Sequence, residues 1–165
     1  MTLKRSIAGA LVAAVLIAAQ DRSAAQRADV LRIRATSDAD IRTWDAYVTA
    51  RERAVDLRAL SADRDPALPG RIIERLQQFH DGVPIWGTDV VRDSENGVTR
   101  SLFGELSPAL TIPANPQLTA IQAQERAIAT GGADATLLRG PELTIFRTEN
   151  GDYRLAYTAV VGAAT

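Results

Sequence analysis

Few side chains in this sequence are suited to catalysis or metal binding. His80 is the single histidine among 165 residues, and there is no cysteine. A zinc hydrolase with an HExxH motif needs two histidines and a further carboxylate ligand, so one histidine cannot build that site. A serine–histidine–aspartate triad would have to use His80, which directly precedes a predicted turn, and the sequence has no GxSxG motif to present the serine.

The carboxylates occupy positions where structural roles are expected. Asp38 and Asp40 follow Ser37 at the start of a predicted helix, where acidic side chains interact favourably with the helix dipole. The other candidates lie near predicted turns, and they are Asp89, Asp93, Glu95, Glu149 and Asp152. Their spacing is not that of an EF-hand calcium loop, and the sequence has neither a P-loop nor a GxGxxG motif.

Composition favours a binding role over a catalytic one. The net charge of −1 gives the chain no basic surface of the kind that binds nucleic acid. We therefore predict a binding protein with no catalytic residue, no metal site and no cofactor of its own.

Two dipeptides with strong turn preferences organise the centre of the chain. Asp81-Gly82 and Asn96-Gly97 favour tight hairpin turns, because glycine adopts positive φ without steric cost. They divide the stretch Arg71–Phe103 into a predicted three-stranded antiparallel meander. Pro84 cannot donate a hydrogen bond, so it should lie near a strand start or at an edge, and Gly87 predicts a bulge or a close approach of two backbones.

The residues before the meander predict a strand and a helix. Val30–Thr36 alternates apolar and polar residues, and Ser37 is a predicted N-cap for a helix that ends near Arg53. Trp44 and Tyr47 fall on the apolar face of this helix and are expected in the core. A short strand is predicted over Val55–Leu60.

The residues on either side of the meander include two predicted loops and a second helix. Asp63–Gly70 and the Pro-rich stretch 108–118 should be irregular. Thr119 and Gln122 form a capping-box pattern for a helix that ends near Thr130. Gly140-Pro141 predicts a turn, and the strands Glu142–Thr148 and Tyr153–Val161 should form a hairpin around Asn150-Gly151.

The first 25 residues have the layout of a secretory signal peptide. Lys4 and Arg5 precede the apolar run Ile7–Ala19, and small residues lead up to a predicted cleavage between Ala25 and Gln26. A cut after Ala19 is an alternative. The run is shorter than the roughly 20 residues that a membrane anchor needs. We expect an exported protein, periplasmic or extracellular, with no membrane attachment once the signal is removed.

The sequence ERLQQFHDGVPIWG, followed by the hairpin Arg92–Gly104, resembles the propeptide of thermolysin-like and fungalysin-like secreted metallopeptidases. The resemblance extends over about Val30–Val161, and its carboxy-terminal part is similar to a PepSY module. It implies an α+β fold of two modules, each a helix packed on an antiparallel sheet, at 26–107 and 119–165, joined by the linker 108–118. It also implies signature positions that mainly shape the first module and secondarily face a partner: Arg75, Gln77, Gln78, Gly82, Pro84, Gly87 and Gly104.

The resemblance also implies a function. In that family the propeptide is an intramolecular chaperone and temporary inhibitor of a zinc metallopeptidase, so a peptidase partner is expected in cis or in trans, with zinc only in that partner. Two alternatives stay open: a fragment of a metallopeptidase zymogen, and an independent exported binding module. The second module lacks a further strand that related modules have, which predicts an exposed sheet edge.

Overall fold

The computed structural model describes residues 12–18, 26–27, 29–54 and 56–163. The fold is α+β, as predicted. Its elements are β1 (Val12–Ala18), β2 (Gln26–Arg27), β3 (Leu31–Ala35), α1 (Asp38–Arg53), β4 (Leu57–Arg64), β5 (Arg71–His80), β6 (Val83–Glu95), β7 (Val98–Leu106), α2 (Ala120–Gly131), β8 (Ala135–Arg147) and β9 (Asp152–Ala163).

The chain separates into two compact units. The meander unit comprises the described residues of Ser23–Ala114 and Ile145–Arg154. The terminal unit comprises the described residues of Met1–Arg22, Asn115–Thr144 and Leu155–Thr165. Each unit contains one of the two helices, α1 in the first and α2 in the second.

The predicted meander is present as β5, β6 and β7, which pair antiparallel. Asp81 (φ 48°) and Gly82 (φ 82°) form one turn, and Asn96 (φ 52°) and Gly97 (φ 79°) form the other. Positive φ at both central residues is the type I′ geometry, whose twist matches that of the flanking strands. β4 pairs antiparallel with β5, and β3 pairs antiparallel with β7, which extends the meander on both sides.

α1 covers one face of this sheet. Its N-cap is Ser37, whose hydroxyl accepts a hydrogen bond from the backbone N–H of Asp40, as the sequence predicts. The core beneath the helix consists of Ile33, Ala35, Val48, Leu57, Leu76, Val90, Leu102 and Leu106. Trp44 and Tyr47 pack against this core and meet edge to face, with ring centroids 5.7 Å apart. Their predicted role in core packing is therefore confirmed.

β4 is longer than the sequence indicates. It runs to Arg64, past the predicted end at Leu60 and into the predicted loop. A register shift between Ala59 and Ser61 keeps the strand paired with β5 beyond the irregularity. The loop that remains is held by the Asp65 carboxylate, which accepts a hydrogen bond from the N–H of Ala67 at 2.8 Å.

The terminal unit is built on α2 and small side chains. The capping box is complete, because the Thr119 hydroxyl accepts from the N–H of Gln122 while the Gln122 side chain accepts from the N–H of Thr119. α2 packs against β1 and buries Ala123 and Ala127. The predicted turn at Gly140-Pro141 is wrong, since β8 continues through both residues. Proline fits a strand wherever its missing N–H is not needed for pairing.

The β9 edge that was expected to be exposed pairs with β1, a strand inside the predicted signal, and β1 becomes the terminal strand of the sheet. β1 pairs antiparallel with β9 from Val12 opposite Gly162 to Ala18 opposite Ala156. An apolar segment near the amino terminus therefore takes the place that the sequence analysis left empty. The end of β8 and the start of β9, predicted within the second module, belong to the meander unit, where Ile145 pairs with Ile85 and Tyr153 pairs with Gln26.

The signal peptide stays a prediction. β1 lies inside the predicted signal, Ala25 lies outside the described residues, and Gln26 belongs to β2. No helix in the described ranges is long and apolar enough to cross a membrane.

Candidate functional site

The signature glutamine Gln77 holds a bulge in β6. Its side-chain Nε2 donates to the carbonyl oxygen of Ile85 at 2.6 Å and to that of Thr88 at 3.0 Å. Gly87, with φ 77°, gives the chain the turn it needs between these carbonyls. In the pairing of β5 with β6, Gln77 lies opposite Asp89 and Phe79 lies opposite Pro84, so the extra residues belong to β6, in agreement with the predicted bulge. One amide thus donates to two carbonyls of the irregular strand, and the Thr88 hydroxyl also donates to the Ile85 carbonyl at 2.7 Å.

The next signature residue, Gln78, forms two buried hydrogen bonds with the backbone of Ser107. Gln78 Nε2 donates to the Ser107 carbonyl at 3.0 Å, and the Ser107 N–H donates to Gln78 Oε1 at 2.7 Å. Gln78 is 1% exposed and Ser107 is fully buried. Because unpaired buried amides are costly, this pair fixes where the chain leaves β7 relative to β5.

The remaining signature residues also shape the sheet. Gly104 has φ 153°, and a Cβ there would overlap the carbonyl oxygen of Asp89, so only glycine allows β7 this close to β6. Arg75 Nε lies 2.6 Å from Asp89 Oδ2. Gly82 completes the first turn, and Pro84 is the second residue of β6, near the strand start as predicted.

A second polar cluster links the helix to the sheet. The Arg92 side chain, 14% exposed, lies 2.8 Å from Glu74 on β5 and 2.8 Å from Glu52 on α1. Burial by itself would lower the pKa of Arg92, but the hydrogen bonds that Arg92 donates to Glu74 and Glu52 outweigh it and raise that pKa. At the other end of the strands, the hydrogen bond that Arg71 donates to Asp93 raises the pKa of Arg71.

Some side chains of the meander unit remain available to a partner. Trp86, which precedes the bulge glycine, is 54% exposed, and Phe103 on β7 is 42% exposed. Trp86 borders a cavity of about 190 Å³ that is also lined by Arg147 and Tyr153. The Tyr153 hydroxyl is buried and has no hydrogen-bond partner among the described residues. Burial raises the pKa of Tyr153.

Within the described residues, His80, Asp38 and Asp40 make structural contacts. His80 Nε2 lies 2.8 Å from the carbonyl oxygen of Ile112 and 3.7 Å from Asp81, which is a turn residue. Asp38 and Asp40 lie in the first turn of α1, as predicted. Across the described ranges, no three His, Asp or Glu side chains group in a way that could hold a metal ion.

Comparison with known families identifies the segment that contains these contacts. Residues 56–106 match the family model described as Fungalysin/Thermolysin Propeptide Motif. This stretch, about a third of the chain, is similar to the propeptide motif of that family. Comparison with curated proteins and with solved structures finds no match. The motif spans β4 to β7, so the predicted resemblance is confirmed over this range, and the PepSY-like second module stays a prediction.

The signature positions stay a prediction, and most of the contacts that the structure gives them were not predicted. The glutamines on both faces of β5 indicated that polar side chains there bond internally or face a partner. No local pattern indicates Ser107 as the partner of Gln78, because the two are 29 residues apart. Asp89 as the neighbour of Gly104 was likewise not predictable without the register of β6 and β7.

Proposed function

We propose that this chain is a propeptide-like binding protein that acts as intramolecular chaperone and inhibitor of a thermolysin-like zinc metallopeptidase, in cis or in trans. The observation that supports this proposal is the propeptide motif over residues 56–106. In this proposal the chain supplies neither catalytic residues nor a cofactor, and zinc belongs to the peptidase. It is exported by its signal peptide and has no nucleic-acid or membrane partner afterwards.

The physical basis of the proposal is a surface that is rigid before it binds. A partner that binds only the native or near-native state of a peptidase stabilises that state by mass action. The same bound surface obstructs the cleft until it is removed. Gln77, Gln78 and Arg92 fix the strands of the motif internally. Little conformational entropy is then lost when the sheet meets its partner.

Trp86 is the proposed anchor of the contact. It is a large aromatic side chain in the motif, about half exposed, beside a small cavity. Tryptophan is among the residues that most often dominate the binding energy of an interface. Phe103 offers a second exposed aromatic group on the same motif.

The test is a refolding experiment. A thermolysin-like peptidase from the same source is denatured and refolded with the chain that begins at Gln26, and recovered proteolysis is measured. The native enzyme is assayed with the same chain for inhibition. Rescue together with inhibition supports the proposal. Failure of both by a well-folded chain contradicts it and favours an independent binding module, whereas a chain that does not fold alone favours a zymogen fragment.

A matched pair of variants locates the contact. Trp86→Ala should weaken inhibition by about tenfold to a hundredfold, the range for loss of an aromatic anchor. Leu60→Ala is the control, because Leu60 is a large apolar side chain of the same unit with a similar exposed fraction, 58%. Equal inhibition by the two variants would place the contact elsewhere while leaving the chaperone role intact.

A further inference from the structure

We propose that β9 is a strand-accepting edge that β1 occupies in the uncut chain, and that a second copy of the chain takes over this edge when β1 is displaced. The proposal concerns the terminal unit alone and does not rest on the peptidase role. It starts from the pairing of β1 with residues 156–162 of β9 over seven residue pairs.

The composition of the β9 edge favours pairing with another strand. The stretch Leu155–Gly162 contains no charged residue and no proline. Natural sheet edges are usually protected by such residues, because an uncharged edge presents free N–H and C=O groups to any extended chain. In the uncut chain β1 pairs with the N–H and C=O groups of this β9 edge.

The edge is complementary to itself. In β9, Tyr157, Ala159 and Val161 are buried, and Thr158 and Val160 between them are partly exposed. A two-fold axis through Ala159 would place Tyr157 opposite Val161 and Thr158 opposite Val160 of the second copy. Directly opposed residues in an antiparallel pair share a face, so the buried positions meet buried positions. A second β9 therefore satisfies the same register rule as β1.

The helix of the terminal unit makes an uncovered edge costly. α2 packs against β1, so displacing β1 removes a neighbour of the helix. A β9 strand from a second copy, added in the same place, supplies a new neighbour as well as the hydrogen bonds. The interface is isologous, which closes the assembly at a dimer.

The experiment uses the full-length chain. The double variant Val15→Pro/Leu16→Pro removes two N–H donors from the middle of β1 and should release it from β9. The matched control Val15→Ala/Leu16→Ala keeps both donors. Light scattering over a concentration series gives the mass, and amide exchange of residues 156–162 reports pairing. We expect a monomer for the wild type and the alanine control, and a dimer with protected β9 amides for the proline variant.

A second pair of variants tests the interface itself. In the proline background, Thr158→Lys/Val160→Lys places lysines directly opposite lysines across the two-fold axis. The resulting repulsion should weaken the dimer by about tenfold, whereas Val160→Thr should leave its affinity within about twofold. A dimer that is insensitive to the lysines would overturn the proposed interface.

The other outcomes are equally decisive. A proline variant that stays monomeric overturns the proposal, whether its β9 amides are protected or exchange freely. Loss of protection in α2 and β9 of a monomer would show that only β1 can complete the unit. Assemblies larger than a dimer would show head-to-tail addition in place of the isologous pair.

Discussion

The helices of the two units are packed by side chains of different size. In the meander unit, α1 rests on large branched side chains such as Leu76 and Leu102, and Arg92 bonds the helix to the sheet. In the terminal unit, α2 buries two alanines, Ala123 and Ala127. Burial of apolar area contributes about 25 cal/mol per Å², so the meander unit gains more from its helix. The propeptide motif therefore lies in the unit with the stronger internal support.

The stabilities of the two units can be measured separately, because each unit has its own spectroscopic or exchange probe. Both tryptophans, Trp44 and Trp86, belong to the meander unit, so tryptophan fluorescence reports its unfolding alone. Amide exchange in α2 reports the terminal unit. Variants in the meander unit should change the first signal and leave the second unchanged, and a coupled response would show that the units unfold together.

The largest effect is expected at Gly104. Gly104→Ala should reduce the stability of the meander unit by about 3 kcal/mol, because the new Cβ overlaps the Asp89 carbonyl and the positive φ is strained. The measurement is denaturant unfolding followed by fluorescence. Gly97→Ala is the control, since it has positive φ but open space around the Cβ, and it should cost about 1 kcal/mol. Equal losses at the two sites would contradict the close approach of β6 and β7.

Substitution of Gln78 should cause the second largest loss of stability. Gln78→Leu leaves the N–H and carbonyl of Ser107 buried and unpaired, which should cost about 2 kcal/mol. The same substitution at the exposed Gln124 of α2 should change stability by less than about 0.5 kcal/mol. A neutral Gln78→Leu variant would mean that water replaces the lost bonds.

Substitution of Arg92 should reduce the free energy of unfolding by an intermediate amount. Arg92→Met removes the positive charge between Glu52 and Glu74, and the two half-buried carboxylates then repel each other, at a cost of about 1.5 kcal/mol. Arg75→Met removes an exposed pair with Asp89 and should cost about 0.5 kcal/mol or less. Thermal unfolding of the two variants gives the difference, and a larger loss at Arg75 would refute the role of the Arg92 cluster.

The smallest effect is a pH dependence at Tyr153. Because burial raises the pKa of this phenol in the folded chain, the unfolded chain releases its proton first as the pH rises. The stabilising contribution is complete below about pH 10, the unfolded pKa, and declines as the pH approaches the folded value. Tyr153→Phe should remove this part of the decline in denaturation curves taken between pH 9 and 11. An unchanged decline in the variant would assign it to other groups.

The sequence predicted the local elements of both units better than their contacts. The Asp-Gly and Asn-Gly turns, the Ser37 cap and the Thr119 capping box each depend on residues within four positions of one another, and the structure confirms all of them. The errors concern long-range pairing. β4 runs past its predicted end because β5 offers a partner, and β8 passes through Gly140-Pro141 as part of a hairpin with β9.

The same contrast between local and long-range features holds at the candidate site. Gly87 and Pro84 carry strong local preferences, so their positions in β6 followed from residue type alone. The partners of Gln77 and Gln78 are backbone groups on other strands, which no local pattern specifies. The cover on the β9 edge was not predicted, because an apolar leader has no alternation that marks it as a strand.

The register of β1 on β9 has a consequence for the timing of biosynthesis. Val12 pairs with Gly162, so β1 cannot dock until Gly162 has been synthesised. Chains grow at about 5–20 residues per second, and elements close in sequence fold first. If the predicted signal is cut off before Gly162 emerges, β1 never meets its strand. The order of translocation, cleavage and synthesis therefore decides whether each molecule begins with that edge covered or bare.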